Sequence, residues 1–598
     1  MYFKFCKKQL WECSKDLSAV AMGRIPAETV IKNAKLINVC TAEIIENIDV
    51  AIHSGRIALV GDASHCVGDK TNVIDANGAY IAPGMMDGHI HIESSMLSAG
   101  EYAKSVIPHG TTGIFYDPHE ICNVMGFKGV ELMIKDAERT PLKAMLTLPS
   151  CVPAVPGFED NGAVITSLDI REQMKLDEAV GLGEMMNFPG IQMSADETHA
   201  ITGETLKADK IITGHYSIPD TGAGLNAYIA SGVRCCHEST RAIDALEKMR
   251  RGMYAMLREG SAWHDLQEVG NSVTENKIDS RYAVLVSDDT HPHTLIKDGH
   301  LDHIVRRAIQ EGIDPVLAVQ MVTINCAQCY HLDNEIGSIT PGKCADIIFV
   351  DDLKSFNVKK VMIDGELVAE NGKMLFEFPP YEYPDFAMNT MHVGEEITAD
   401  TFKIKTDKKD KALVRVIEII PARVSDYERH IELVVKDGCI ESDTEKDVLK
   451  AFVFERHKKT GTHGVGFVKG FNIKHGAMAA TVAHDAHNLF VIGTNDEDMA
   501  LAANTLIKCG GGTCAVSDGK VLGLVELPLA GLMNVKSAEE MSDKVEKLDK
   551  AWKAIGCDIV SPFMTMTIIP LACLPELRLT NRGLVDCTKF TFVPLEVE

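Results

Sequence analysis

From about Pro83 to Asn334 the chain alternates apolar, strand-like runs with amphipathic stretches. The runs are HIHI, TTGIFYDPHE, KAMLTLPSCVP, VGLGEMM, IITGHYS, VRCCHEST and YAVLVSDDT, with DALEKMRRGMYAMLREG and DHIVRRAIQEGIDPVLAVQMVT read as helices between them. A strand that is apolar on both faces must be covered on both, and an intervening helix does that. Repeated over this length, the alternation predicts an α/β fold with a parallel sheet, closed as an eight-stranded (β/α)8 TIM-like barrel over 83–335.

The flanking text differs. Residues 1–25 read as a helical extension. Residues 26–82 hold short β runs (TVIKNAKLINV, ENIDVAIHSGRIALVG, TNVID) separated by turn residues, and the same style returns at 336–380. A β-layer written in two pieces predicts a split β-sandwich into which the barrel is inserted. Beyond the Pro/Tyr-rich FEFPPYEYPD, residues 390–598 mix hairpin signals with Gly-rich turns and predict a separate α+β domain.

Composition excludes several roles. The formal net charge of −25 disfavours a nucleic-acid partner, since phosphate binding wants a basic surface. Seventeen cysteines, an odd number without framework spacing, fit a reducing, cytoplasmic setting better than a disulfide scaffold. The start of the chain lacks a signal-peptide core. The apolar stretch from Ile559 to Pro575 carries Pro562, Pro570 and Pro575, and is read as buried strands or loops, not a membrane span.

Chemistry in a parallel barrel collects at strand C-termini. Here His89 and His91 end the first run, and two residues apart on a strand they share a face. Asp117, His119 and Glu120 end the second. Glu184 ends GLGE, His215 ends IITGH, His237 and Glu238 end VRCCHE, and Asp288 and Asp289 end YAVLVSDD. So many imidazoles and carboxylates exceed one ion's needs. They suit two divalent metal ions sharing a bridging ligand, with Mn, Fe or Zn accepting such a set and a thiolate site disfavoured. Cys122, Cys235 and Cys236 are read as packing residues.

These strand ends, inside a split β-sandwich, resemble the amidohydrolase superfamily. PGMMDGHIHIESSM, TTGIFYDPHEICNVMG, GLGEMMN, TGHYS, CCHEST and VSDDTHP resemble its adenine deaminase family, as do GFNIKHGAMAATVAHDAHNLFVIGTND and SPFMTMTIIPLACLPELRLTNRGLVD in the tail. The resemblance runs from about residue 28 to the end. It implies hydrolytic deamination of adenine to hypoxanthine and ammonia at a binuclear centre, with Mn2+ foremost and Fe2+ or Zn2+ as alternatives. It implies His89, His91, His215 and His237 as metal ligands and Glu184 as the bridging carboxylate. Asp288 is implied as ligand or proton acceptor, and Glu120 as an additional ligand or proton shuttle. Asp289, Ser94 and Ser95 are candidates for reading the ring. Adenine and water are the implied partners, with no membrane or nucleic acid and a homo-oligomer as the general expectation. The competing readings are another cyclic amidohydrolase (dihydroorotase-like, or cleaving an N-acyl group) and a metal-free assembly protein of the same fold.

Other signals carry less. His91-Ile92-Glu93 matches half of the zinc-deaminase pattern, but Asn325, not proline, precedes Cys326-Ala327-Gln328-Cys329. Gly510-Gly511-Gly512 lacks the Lys-Ser/Thr of a phosphate loop and reads as a tight turn. KTDKKDK reads as a solvated loop. His484 and His487 are either helical i, i+3 neighbours that with His463 and His475 bind a metal or close over the barrel, or a polar turn.

Overall fold

The computed structural model describes residues 6–394, 396–420 and 426–598; residues 1–5 of the expected N-terminal extension lie outside it, as do residue 395 and residues 421–425 of the expected C-terminal domain. The rest of the extension forms the helix Leu10–Ala21, which buries Cys13, Leu17 and Val20.

The alternating region closes into the barrel. Its strands are β1 (Met85–His91), β2 (Thr111–Tyr116), β3 (Lys143–Leu148), β4 (Ala179–Met185), β5 (Ile211–Gly214), β6 (Val233–Cys236), β7 (Tyr254–Arg258) and β8 (Ala283–Val286, continued by Asp288–Asp289). All neighbours are parallel, and Asp288 and Asp289 pair with Ile90 and His91 to join the last strand to the first. Strand β8 breaks at Ser287, and Asp288 has φ +59, a left-handed conformation that aspartate tolerates better than most residues. Phe115, Met145, Met256 and Val284 fill the barrel interior, with Phe115 stacked on Tyr330 at 3.5 Å.

Strand β7 corrects the sequence reading. The helix taken to span DALEKMRRGMYAMLREG stops at Arg250, and Tyr254–Arg258 is a barrel strand. Gly252 has φ +77 and ends the helix.

A second sheet joins the two flanking β segments. Tyr80–Pro83 lies between Thr29–Asn38 and Ile347–Val350, so strands from before and after the barrel share one layer. This layer is mixed: Asn72–Asp75 and Tyr80–Pro83 both run parallel to Thr29–Asn38.

Residues 404–526 supply a ten-stranded sheet, packed by the helices Asp496–Cys509 and Ala538–Ala554. A three-stranded sheet follows between Leu577 and Val593. The helix Asp496–Cys509 ends at Gly510, and φ values of +86, +116 and +141 at Gly510 to Gly512 make the expected tight turn. One hydrophobic core runs from Ile90 and Leu97 in the barrel to Leu529, Met533 and Leu571 beyond it. Backbone bonds stitch the same junction: Asn534 N donates to Met96 O at 2.8 Å and Ser98 N to Asn534 O at 2.9 Å. The stretch from Ile559 to Pro575 contains the short helix Pro562–Thr567, where loops or strands were expected. Among the described residues no helix is long and apolar enough to cross a membrane.

Candidate metal centre and cavity

Glu184, at the end of β4, is the hub. Five imidazole nitrogens lie within 3.8 Å of its carboxylate: His215 Nδ1 at 2.8 Å, His237 Nε2 at 3.0 Å, His119 Nδ1 at 3.5 Å, and His89 and His91 Nε2 at 3.8 Å. Asp288 Oδ1 sits on the other side of the strand-one pair, 3.6 Å from His89 Nε2 and 3.3 Å from His91 Nε2. The backbone holds the rings in place. His91 Nδ1 donates to Asp117 O at 2.9 Å, which leaves Nε2 as its lone-pair nitrogen. The Glu184 N–H donates to Asp117 Oδ2 at 2.7 Å.

This donor set fits divalent metal ions. His89 Nε2 is buried and has no hydrogen-bond partner among the described residues, although two carboxylates face it. Separations of 3.3 to 3.8 Å are long for hydrogen bonds. They suit donors that each sit about 2.0–2.2 Å from a shared ion. His89, His91 and Asp288 form one such group and His89, Glu184 and His237 another. All of these side chains are buried.

The electrostatics are those of crowded carboxylates and imidazoles. Against burial, Asp288 and Glu184 raise His91, and Glu184 and Glu238 raise His215 to about 9, a balancing positive charge that a bound divalent ion would supply instead. Burial raises the Glu184 carboxyl, but His215 and His237 outweigh it and hold the group well below the usual carboxylate range. Asp288 is likewise held low against burial, by His89 and His91 and then His237 and Arg258. Burial, with His237, lowers His89 and keeps it a neutral donor.

The comparisons with known proteins fit this geometry. Residues 80–368 match the amidohydrolase family, and residues 424–591 match the adenine deaminase C-terminal domain. The chain is 70% identical to a protein named adenine deaminase from Clostridium botulinum, over 100% of both chains. It is 50% identical to an adenine deaminase from Moorella thermoacetica, over 98% of this chain and 99% of that one. Among solved structures it is similar to a β-aspartyl dipeptidase from Fervidobacterium islandicum AW-1, with 18% identity, TM-score 0.46, and coverage of 60% of this chain and 100% of that one.

The chain belongs to the adenine deaminase family.

Adenine deaminases are amidohydrolases by fold, and membership implies divalent metal binding, which the donors around Glu184 fit. In this family member a cavity opens above the cluster. Its polar wall includes His119, Glu238, Arg258 and Asp289; its apolar wall is Met186, Trp263, Met564, Ile568, Leu571 and Leu574. The last four come from the region matching the deaminase C-terminal domain, which therefore roofs the barrel.

The structure brings His89, His91, Glu184, His215, His237 and Asp288 together. Glu120 turns elsewhere: its Oε1 accepts from Ser94 Oγ at 2.8 Å and its Oε2 lies 3.7 Å from His487. The neighbour His119 faces the hub instead. Both open the helix His119–Met125, where adjacent residues diverge by about 100° around the axis, so one of two candidates had to point away. Asp289 lines the cavity, with its Oδ1 2.5 Å from Ser94 Oγ. Ser94 and Ser95 lie outside the lining, and Ser95 Oγ donates to Ile92 O at 2.5 Å.

Two functional groups escaped the sequence reading, Arg258 and Asp485. Arg258, on the missed strand β7, donates to Asp288 Oδ2 at 2.7 Å, to Glu238 Oε1 at 2.6 Å and to Asp265 through Nε at 2.8 Å. Asp485 lies in the HDAHN segment, which forms the turn that one of the two readings offered and, as the other had it, lies over the barrel mouth, where His484 and Asp485 line the cavity. His463 and His475 lie elsewhere: His463 packs on Phe454, and His475 Nδ1 is 2.7 Å from Ser517 Oγ.

Proposed function

We propose that this chain hydrolyses adenine to hypoxanthine and ammonia at a centre of two divalent metal ions, Mn2+ foremost with Fe2+ or Zn2+ as alternatives. The observation that carries the reading is the ring of five imidazole nitrogens within 3.8 Å of one buried carboxylate. Full-length similarity to proteins named adenine deaminase supports the substrate. His89, His91, Asp288 and Glu184 would hold one ion and His215, His237 and Glu184 the other, with Glu184 shared and His119 beside Glu184 Oε1 as a further donor. Bound there, such ions lower the pKa of water towards neutrality and offset charge that develops on the substrate.

The chain's own groups then orient the substrate and move protons. Water adds to the purine carbon that bears the exocyclic amine. Arg258 holds Asp288 Oδ2 at 2.7 Å, which fixes the carboxylate and turns Oδ1 to the cluster as proton acceptor. The proton passes to the ring nitrogen and then to the amine, and ammonia leaves from the tetrahedral intermediate. Asp289 is a second candidate in this relay. Burial and the Asp288 charge raise its carboxyl, and Ser94 lies between it and Glu120, at 2.5 and 2.8 Å. The apolar roof of Met564, Ile568, Leu571 and Leu574 suits a flat, neutral ring and keeps bulk water out. The reading includes a homo-oligomer in the cytoplasm, and the net charge of −25 argues against nucleic acid as a partner.

The test is ammonia release and ultraviolet change on adenine by Mn2+-loaded protein, with adenosine, cytosine and dihydroorotate alongside. Turnover of adenine that disappears in His89→Ala is the expected result. Turnover of dihydroorotate and not adenine would transfer the site to a cyclic-amide substrate.

A further inference from the structure

We propose that Asp485, on the C-terminal turn, is a positioning residue that orients His119 towards the metal centre, so that both domains build the site. The inference rests on the reading that the cluster around Glu184 holds ions.

The His119 ring spans the gap between the domains. Its Nδ1 lies 3.5 Å from Glu184 Oε1 and its Nε2 lies 3.7 Å from Asp485 Oδ1. The ring also sits edge-on to His91, with centroids 4.6 Å apart. His119 is 5% exposed and Asp485 2%. Both His119 nitrogens and Asp485 Oδ2 lack a hydrogen-bond partner among the described residues. Buried polar atoms left in that state are costly unless another group completes them. A metal-facing imidazole characteristically gives its remote N–H to a carboxylate or carbonyl, which fixes both tautomer and ring plane. His91 already follows that pattern through Asp117 O. Asp485 is the acceptor placed to do the same for His119.

The turn is built to hold a charge in one place. His484 N donates to Thr567 O at 2.9 Å and His487 N to Ala483 O at 2.7 Å. His457 Nε2 donates to Ala486 O at 2.7 Å. The buried Arg456 guanidinium donates to His487 O and, at 2.9 Å, to Ala530 O. His484 Nδ1 lies 3.5 Å from the same Asp485 Oδ1. The carboxylate is thus placed between two imidazoles, and these outweigh burial and hold it below the ordinary carboxylate range.

The experiment is a competition titration of Mn2+ against a chromogenic chelator on full-length protein: wild type, Asp485→Asn, Asp485→Glu, His119→Ala and the His119→Ala/Asp485→Asn double variant. Melting of each metal-free protein runs alongside. Asp485→Asn is expected to weaken at least one bound ion about 10- to 100-fold, with metal-free melting unchanged. Asp485→Glu recovers part of that loss, and in the His119→Ala background the Asp485 change adds nothing. Wild-type affinity in Asp485→Asn overturns the inference, as does an equal loss with and without His119. Where Asp485→Asn does not fold, Asp485→Glu with and without His119 makes the same comparison. A third ion in wild type that Asp485→Asn alone removes would also overturn it, by making His119, His484 and Asp485 a ligand set of their own. The titration needs no substrate. Two bound ions without adenine turnover would sink the proposed activity and leave this inference standing, whereas wild-type protein that binds no ion sinks this inference.

Discussion

At the scale of single residues, Glu184 is the group on which the site depends. Two of its oxygens face five imidazole nitrogens, and no neutral side chain of the same shape offers that charge. Glu184→Gln is expected to lower adenine turnover by about 100-fold or more, since even groups behind a metal ligand are worth 10- to 100-fold. Elemental analysis of the variant should show fewer than two ions per chain; full metal content with normal turnover would remove Glu184 from the centre. A second residue reports on burial. Burial first, and then Asp485, pushes the Glu159 carboxyl up to about 8, from an ordinary value of 4.5. Between those values the folded chain keeps a proton that the unfolded chain has released, so this group's contribution is full below about pH 4.5 and is lost as pH rises through about 8. Glu159→Gln removes that slope. Its melting temperature relative to wild type should rise steadily from pH 5 to pH 8, and a constant difference would refute the assignment. Residue identity was only partly legible from spacing. The DPHE string offered His119 and Glu120 together, and only the helix phase at His119–Met125 decides which one faces the hub.

At the scale of elements, position follows from a few backbone constraints. Strand β4 delivers Glu184 because Gly183 lets it pass close to Asp117. A Cβ on Gly183 would come within 2.3 Å of Asp117 Oδ2, the oxygen that accepts from the Glu184 N–H. Gly183→Ala should therefore displace Glu184 and cut turnover at least about tenfold, because a misplacement near 1 Å costs up to about 100-fold. Near-wild-type kcat in a folded Gly183→Ala protein would show that this approach is not needed. The strands were mostly legible, because β-branched and aromatic runs ended by His or carboxylate mark barrel strands. Strand β7 was not. YAMLR contains strong helix formers and continues the amphipathic phase of the preceding helix, so propensity pointed the wrong way. The usable signal was Gly252, whose φ of +77 ends the helix and begins the strand. Missing β7 meant missing Arg258. The Gly-rich and roofing segments of the tail were legible as turns and buried chain, but which face they cover depends on long-range packing that local periodicity does not encode.

At the scale of the molecule, the site is an inter-domain object. The barrel supplies the donors around Glu184, while Met564, Ile568, Leu571 and Leu574 roof the cavity from the C-terminal side. A single hydrophobic core crosses the junction, and Arg258 ties together strands β7 and β8 with β6's neighbour Glu238. Ions bound to the folded state alone stabilise it by RT ln(1 + [L]/Kd), about 2.7 kcal/mol at a free concentration 100 times Kd. Because donors and roof belong to one packed body, that energy is expected to act on barrel and C-terminal domain together. Chelation should lower the melting temperature of one shared calorimetric transition by several degrees, and Mn2+ should restore it. A chelated protein whose C-terminal domain melts at its original temperature while the barrel melts earlier would mean that the two domains are energetically separate, and that the roof only rests on the barrel.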